Sequence, residues 1–320
     1  MASTRSRKTL LIVLGVVAIA LGVPAYFYQL DIQQARQRIS TGSQIVETPC
    51  GRIEYAVAGD GPPLLIAHGA GGGFDQGMHF GKRLVDSGFR VIAISRFGYL
   101  RTPLPVDASA AAQADAYVCL LDALGIQRTA IAAASAGAPS SIQFALRHPK
   151  RISKLVLLVP ATYVPRPGGA PSITVPRGST FLMDMSLRSD FLFWLPLRFA
   201  RATMMRSVLA TPPALLENAG PEEQERMRQI LDRILPVSER RLGLTNDFAI
   251  IAALKRYDLE RINTPSLTIS FADDLLGTYE AARYTAEQIR GARFLGYPSG
   301  GHLWVGHNKE VFSEVIAFLK

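Results

Sequence analysis

Cysteine is scarce in this chain: only Cys50 and Cys119 occur among 320 residues. Neither belongs to a CxxC pair or stands at a zinc-ligand spacing, which excludes zinc ribbons, fingers and thioredoxin-like redox motifs. One disulfide between them is conceivable, but the helical pattern around Cys119, "AYVCLLDAL", predicts a buried free thiol. Histidine is sparse too, with five in all. The chain lacks internal repeats, low-complexity tracts and any basic run interleaved with aromatics. The net charge of +9 is spread along its length, which argues against nucleic-acid binding and fits solubility or proximity to anionic lipid. No metal and no cofactor are expected. Apolar residues make up 48%, enough to bury the core of one large α/β domain or two smaller ones.

Charge is also missing from residues 9–28, "TLLIVLGVVAIALGVPAYFY". A run of about twenty uncharged residues is long enough to span a bilayer as a helix. Arg5, Arg7 and Lys8 before it predict a cytoplasmic N-terminus and an exported remainder. Tyr26, Phe27 and Tyr28 would form an interfacial belt. The expectation is a membrane anchor over 1–30, followed by a polar linker over 31–44. The alternative is a signal peptide cleaved near "VPA" at 23–25, giving a secreted protein.

Beyond the linker, "IVETPCGRIEYAVAGDG" reads as a hairpin turning near Pro49–Gly51. Short, continuous apolar runs then alternate with helical patterns: "PPLLIAHG", "FRVIAIS", "RTAIAAAS" and "ISKLVLLVP" as strands, with amphipathic stretches between them. Buried strands in alternation with helices predict a mostly parallel, doubly wound α/β sheet. The rhythm stops over 161–246, a Pro/Gly-rich stretch followed by helical patterns, and resumes with the strands "TPSLTISFADD" and "ARFLGYPSGGH". The core is therefore expected in 45–160 and 247–320, with an inserted helical cap over 161–246. Phe181, Phe191, Phe193, Trp194 and Phe199 would supply the cap's packing face, one or two of them also lining a pocket.

Functional residues in such sheets gather at the C-terminal ends of strands. Ser135 stands at one such end, within "AASAG". A serine hydroxyl is a weak nucleophile near neutral pH and needs an adjacent base oriented by a carboxylate. His68 belongs to a glycine loop, His79 and His307 to helical patterns, and His148 to a helix end. His302 alone falls in a glycine-flanked turn, "SGGHLW", directly after a strand. For the carboxylate, the strand end "FADD" offers Asp273 and Asp274, which the pattern does not separate. "HGAGGG" at 68–73 supplies backbone donors for a developing oxyanion: the Ala70 N–H, with Gly71 next to it, together with the Ala136 N–H. A dinucleotide fingerprint would need glycine at 74, where Phe stands. A P-loop would need Gly at 76 and Ser or Thr at 83, where Gln and Arg stand.

Taken in order, "HGAGGG", "SRFGYLRTPLP", "AASAG" and "GGHLWVGH" resemble the motifs of the α/β-hydrolase superfamily, with Ala133 in place of the more usual glycine at the nucleophile elbow. The resemblance covers residues 45–320, broken by the cap. It implies an α/β-hydrolase fold and prefers Asp274 as the acid, with Phe271 at the position where many members carry glycine. Serine at the elbow separates the chain from members that use aspartate there, such as epoxide hydrolases and haloalkane dehalogenases. The expectation is a serine hydrolase acting on a small ester-like or acyl substrate through Ser135, His302 and Asp274. Carbon–carbon-bond hydrolysis, perhydrolysis or aminopeptidase chemistry on the same triad are alternatives. A non-catalytic binding protein on this fold is an alternative of another class.

Overall fold

The computed structural model describes residues 2–166, 168 and 185–320. Eight strands form one sheet: β1 (Gln44–Thr48), β2 (Gly51–Ala58), β3 (Pro63–Ala67), β4 (Arg90–Ile94), β5 (Thr129–Ala134), β6 (Ile152–Leu158), β7 (Ser266–Phe271) and β8 (Arg293–Tyr297). Their spatial order is β1-β2-β4-β3-β5-β6-β7-β8. β1 and β2 form the antiparallel hairpin, β2 pairs antiparallel with β4, and every pairing from β4 to β8 is parallel.

Period-two alternation assigns the strand residues to two cores. Leu65, Ala67, Ile92, Ile94, Ile131 and Ala133 pack beneath α3 (Ala110–Ala123) and α4 (Ala138–Arg147). Their neighbours, among them Leu64, Ile66, Val91, Ala130 and Ala132, pack on the other face with α2 (Phe74–Asp86) and the final helix, Asn308–Leu319. The strands are apolar throughout because both faces are covered.

Between β6 and β7 the described residues form a helical insert: α5 (Asp190–Phe199), α6 (Arg201–Ser207), α7 (Pro213–Glu217), α8 (Pro221–Asp232) and α9 (Arg241–Ala252). α9 runs through the expected boundary at 246. The insert has its own core, in which Phe193, Trp194, Met204, Met205, Met227 and Leu231 pack together with Leu303 and Val305 from the turn after β8. Of the sequence's cap aromatics, Phe193 and Trp194 are buried, Phe191 is stacked on Trp194, and Phe199 is 66% exposed. Phe181 lies outside the described residues.

The N-terminal expectation does not hold. Among the described residues no helix is long and apolar enough to cross a membrane. Helix α1 runs from Ala2 to Ser40, so most of the supposed linker is helical. Its C-terminal part is docked on the insert. Ile32 and Ala35 are buried, and the Tyr28 ring meets Phe191 and Trp194 edge-on. Trp194 Nε1 donates to Asp31 at 2.7 Å, and Arg198 lies over the Phe27 ring. Two of the three aromatics expected at a lipid interface thus contact protein. The single-pass anchor falls, and with it the exported or secreted placement built on it. The free-thiol expectation is also corrected. α3 lies beside the hairpin and brings Cys119 within 6.1 Å (Cα–Cα) of Cys50, to which it is disulfide-bonded.

Candidate active site

Ser135 directly follows β5 and opens a single 3₁₀ turn, Ser135–Gly137, that leads into α4. Its φ is +48°. The left-handed region costs an L-residue about 1–2 kcal/mol, so the surroundings hold the serine in a conformation it would not choose. The turn is tight. A Cβ on Gly137 would lie 2.5 Å from the Ala67 carbonyl oxygen and 2.8 Å from that of His68, so the elbow tolerates no larger residue there. The Ala161 N–H donates to the Ser135 carbonyl at 3.1 Å.

The glycine loop lies against the elbow, since a Cβ on Gly69 would come within 3.4 Å of Ser135 Cβ. Its amides are not equivalent. Gly71 N–H donates to the Tyr99 hydroxyl at 3.2 Å, and Gly72 N–H turns back to Gly69 O at 3.3 Å. Among the described residues the Ala70 N–H has no protein acceptor. Ala136 is the second residue of the 3₁₀ turn, where backbone N–H groups lack intrahelical partners.

Asp274 and His302 follow β7 and β8, at the same sheet edge as Ser135. His302 Nδ1 lies 2.7 Å from Asp274 Oδ2. Asp274 also accepts from the Leu276 N–H at 2.9 Å and from the Thr278 hydroxyl, which Ser270 contacts in turn. An ionised carboxylate only accepts, so the pair assigns the Nδ1 proton to His302 and leaves Nε2 as a proton acceptor. Asp273 faces elsewhere, accepting from the Gly300 and Gly301 amides at 3.2 and 2.7 Å. A second His–Asp pair, His148 with Asp115 at 2.7 Å, sits at the C-terminal end of α4, the end opposite the Ser135 turn. His68 has a structural place: its Nε2 accepts the Arg96 N–H at 3.1 Å and its Nδ1 meets Gly69 O at 2.7 Å. Burial, then the adjacent Arg96 charge, drives its pKa well below the usual histidine value, so the ring stays neutral.

Sequence reasoning missed the groups that hold the loop from behind. Arg96 and Asp247 form a fully buried bidentate pair, 2.7 Å at each contact, and Tyr99 donates to Asp247 Oδ2 at 2.5 Å. Burial opposes the Arg96 charge, but the facing carboxylate overrides it and raises its pKa. Asp247 lies on α9, so this network ties the insert to the glycine loop. On the loop's other side the buried Arg240 donates to Gly72 O and to both Asp75 oxygens. These residues are scattered over the sequence, and only their type hinted at a role. Arginine and aspartate within otherwise apolar stretches are rarely buried unless paired.

A mostly parallel sheet with a glycine loop after β3, a serine elbow after β5 and a His–Asp pair after β7 and β8 defines the class. The chain belongs to the alpha/beta hydrolase fold family, which it matches over residues 62–305. It is 28% identical over 285 residues to YcgS, an uncharacterized hydrolase of Bacillus subtilis, covering 84% of this chain and 95% of the relative. It is 35% identical to a 2-hydroxy-6-oxononadienedioate/2-hydroxy-6-oxononatrienedioate hydrolase of Paraburkholderia xenovorans over a shorter stretch, 127 residues, or 36% of this chain and 44% of that one. Among solved structures, an alpha/beta hydrolase fold protein from Nakamurella multipartita superposes with a TM-score of 0.68 at 27% identity, covering 87% of this chain and 98% of the other.

Proposed function

We propose that the protein is a serine hydrolase of ester-like or other acyl substrates. Ser135 Oγ attacks the carbonyl carbon while His302 Nε2 takes its proton. Asp274 holds the imidazole in the required tautomer and stabilises the imidazolium. The Ala70 and Ala136 N–H groups receive the oxyanion of the tetrahedral intermediate. Collapse expels the leaving group with the proton from His302, and water repeats the sequence on the acyl-enzyme. No cofactor enters these steps. The insert over 161–246 acts as the cap of a core made of 45–160 and 247–320.

The observation that carries this reading is the 2.7 Å contact between His302 Nδ1 and Asp274, two strands from a serine held at positive φ. The test is labelling with a fluorophosphonate probe, followed by identification of the modified peptide, alongside hydrolysis of p-nitrophenyl esters. Labelling at Ser135 that disappears in Ser135→Ala is expected. Labelling that survives the substitution overturns the assignment. A native protein that neither labels nor turns over any ester, dienoate, perhydrolase or aminopeptidase substrate is instead a binding protein on this fold.

A second reading, hydrolysis of a carbon–carbon bond in a dienoate, is favoured by the names of the relatives that match over about 127 residues at 32–35% identity. Comparing turnover of a 2-hydroxy-6-oxodienoate with that of simple esters separates the two. Perhydrolase and aminopeptidase substrates complete the panel.

A further inference from the structure

Asp75, on the first turn of α2, is almost wholly buried between two arginines from different parts of the chain. Arg240 bridges both its oxygens, at 3.1 and 2.9 Å, and donates through Nη1 to the Gly72 carbonyl at 2.5 Å. Arg38, in the last turn of α1, donates through Nε to Asp75 Oδ2 at 3.1 Å. Its Nη2 reaches the Leu235 and Asp232 carbonyls at 2.5 and 3.3 Å. Burial alone would raise the Asp75 pKa, but the Arg240 and Arg38 charges and hydrogen bonds outweigh it and keep the group ionised.

The chain of contacts is directional. Arg38 fixes Asp75 Oδ2 and the main chain just before Arg240, Asp75 and that main chain fix the Arg240 guanidinium, and Arg240 fixes Gly72 O. Gly72 lies two residues beyond Ala70, and its own N–H closes the turn on Gly69. The loop has no slack here, because a Cβ on Gly73 would lie 2.9 Å from Arg240 Nη1 and 3.1 Å from Asp75 Oδ1. We propose that Arg38, carried by the N-terminal helix, is a positioning residue for the oxyanion loop, aiming the Ala70 N–H through Asp75, Arg240 and Gly72. This rests on the hydrolase reading above, in which Ala70 is an oxyanion donor. It gives α1 a part in the reaction in addition to its packing on the insert.

The test compares Arg38→Gln, Arg38→Lys and a control, Arg36→Gln, in the full chain. Arg36 lies on the same helix and reaches Asp190 at 3.8 Å without touching Asp75. For p-nitrophenyl butyrate, Arg38→Gln is expected to lower kcat about tenfold, as a displaced catalytic group does, with KM within about twofold. The rate of fluorophosphonate labelling should fall by the same factor. Arg38→Lys keeps the charge but not the fork that spans Asp75 and Leu235, and should lose about threefold. Arg36→Gln should match wild type. In combination with Asp75→Asn, Arg38→Gln should cost less than it does alone, because both act along one path. Wild-type kcat in either folded Arg38 variant, or a rise in KM alone, overturns the proposal. A native protein that never labels at Ser135 overturns the hydrolase reading itself and the proposal with it; native labelling with unaltered Arg38 kinetics overturns the proposal alone.

Discussion

Asp273 and Asp274 are consecutive, yet their carboxylates hold two different parts of one turn. Asp274 Oδ2 lies 2.7 Å from His302 Nδ1, whereas Asp273 accepts from the Gly300 and Gly301 amides at 3.2 and 2.7 Å. One carboxylate orients the ring and the other shapes the backbone that carries it. Asp274→Asn keeps the shape but reverses the donor pattern at Nδ1, so kcat should fall by on the order of 10⁴. Asp273→Asn removes charge-assisted bonds to two amides, and should lower kcat about tenfold while destabilising the fold by roughly 1.5–3 kcal/mol. Steady-state kinetics and urea unfolding of the two variants provide the check. Equal losses of kcat would contradict this division of roles.

Ser135 carries a stability cost at the point where the chemistry is proposed. With φ at +48°, glycine would occupy the position more easily than any L-residue. Ser135→Gly and Ser135→Ala should both be inactive, but the glycine variant should be more stable than the alanine variant by about 1 kcal/mol. Thermal unfolding of the pair measures the difference. An alanine variant as stable as the glycine variant would mean that the elbow relaxes once the hydroxyl is gone.

What the sequence revealed and what it hid divide along a physical line. The strands, the hairpin turn at Pro49–Gly51 and the placement of Ser135, His302 and the Asp273–Asp274 pair after strands were legible because each depends on local pattern: apolar runs, glycine punctuation, polar residues at strand ends. "FADD" was ambiguous because two adjacent side chains leave a turn in different directions, which only the path of the backbone decides. Arg38, Asp75, Arg240 and Asp247 were invisible because their partners lie 37 to 197 positions away, and charge type alone does not announce a partner. The apolar run at 9–28 misled for a related reason. Hydropathy registers the uncharged stretch but not that the same helix continues to Ser40 and docks through Tyr28, Asp31 and Arg38. Cys119 failed likewise, since helical spacing predicts burial but not that its partly buried neighbour is Cys50.

That disulfide closes a loop with a sequence separation of 69 residues. Chain-entropy reasoning gives a loop of this size about 4 kcal/mol of stabilisation, as an upper figure. It pins the antiparallel hairpin at the sheet edge to α3, so its loss should loosen β1 and β2 before the parallel strands. A Cys50→Ser/Cys119→Ser double variant should unfold at lower urea than the oxidised wild type, and dithiothreitol should bring the wild type to the same midpoint. Hydrogen exchange should rise first in residues 44–58. An unchanged midpoint on reduction would show that the hairpin holds without the bond.

His79 gives the fold a pH dependence whose sign can be worked out. It lies on α2 facing Arg233 and Arg226, and burial followed by those two charges lowers its pKa to about 4, with Asp75 opposing and Arg38 adding to the effect. In the unfolded chain the value is about 6.5. Between these limits the unfolded state binds the proton and the folded state does not, so the folded form is favoured above pH 6.5 and loses stability as the pH falls toward 4. From pH 7.5 to 5 the loss attributable to this one residue is on the order of 2 kcal/mol. Asp75 does not interfere, because its own pKa is held below the usual carboxylate value and it titrates beneath this window. His79→Gln should therefore flatten the dependence: urea unfolding at pH 7.5 and pH 5 should give a smaller difference in the variant than in wild type, with the two proteins diverging most at the lower pH. Parallel curves would show that the folded state accommodates a protonated His79 despite the two arginines beside it.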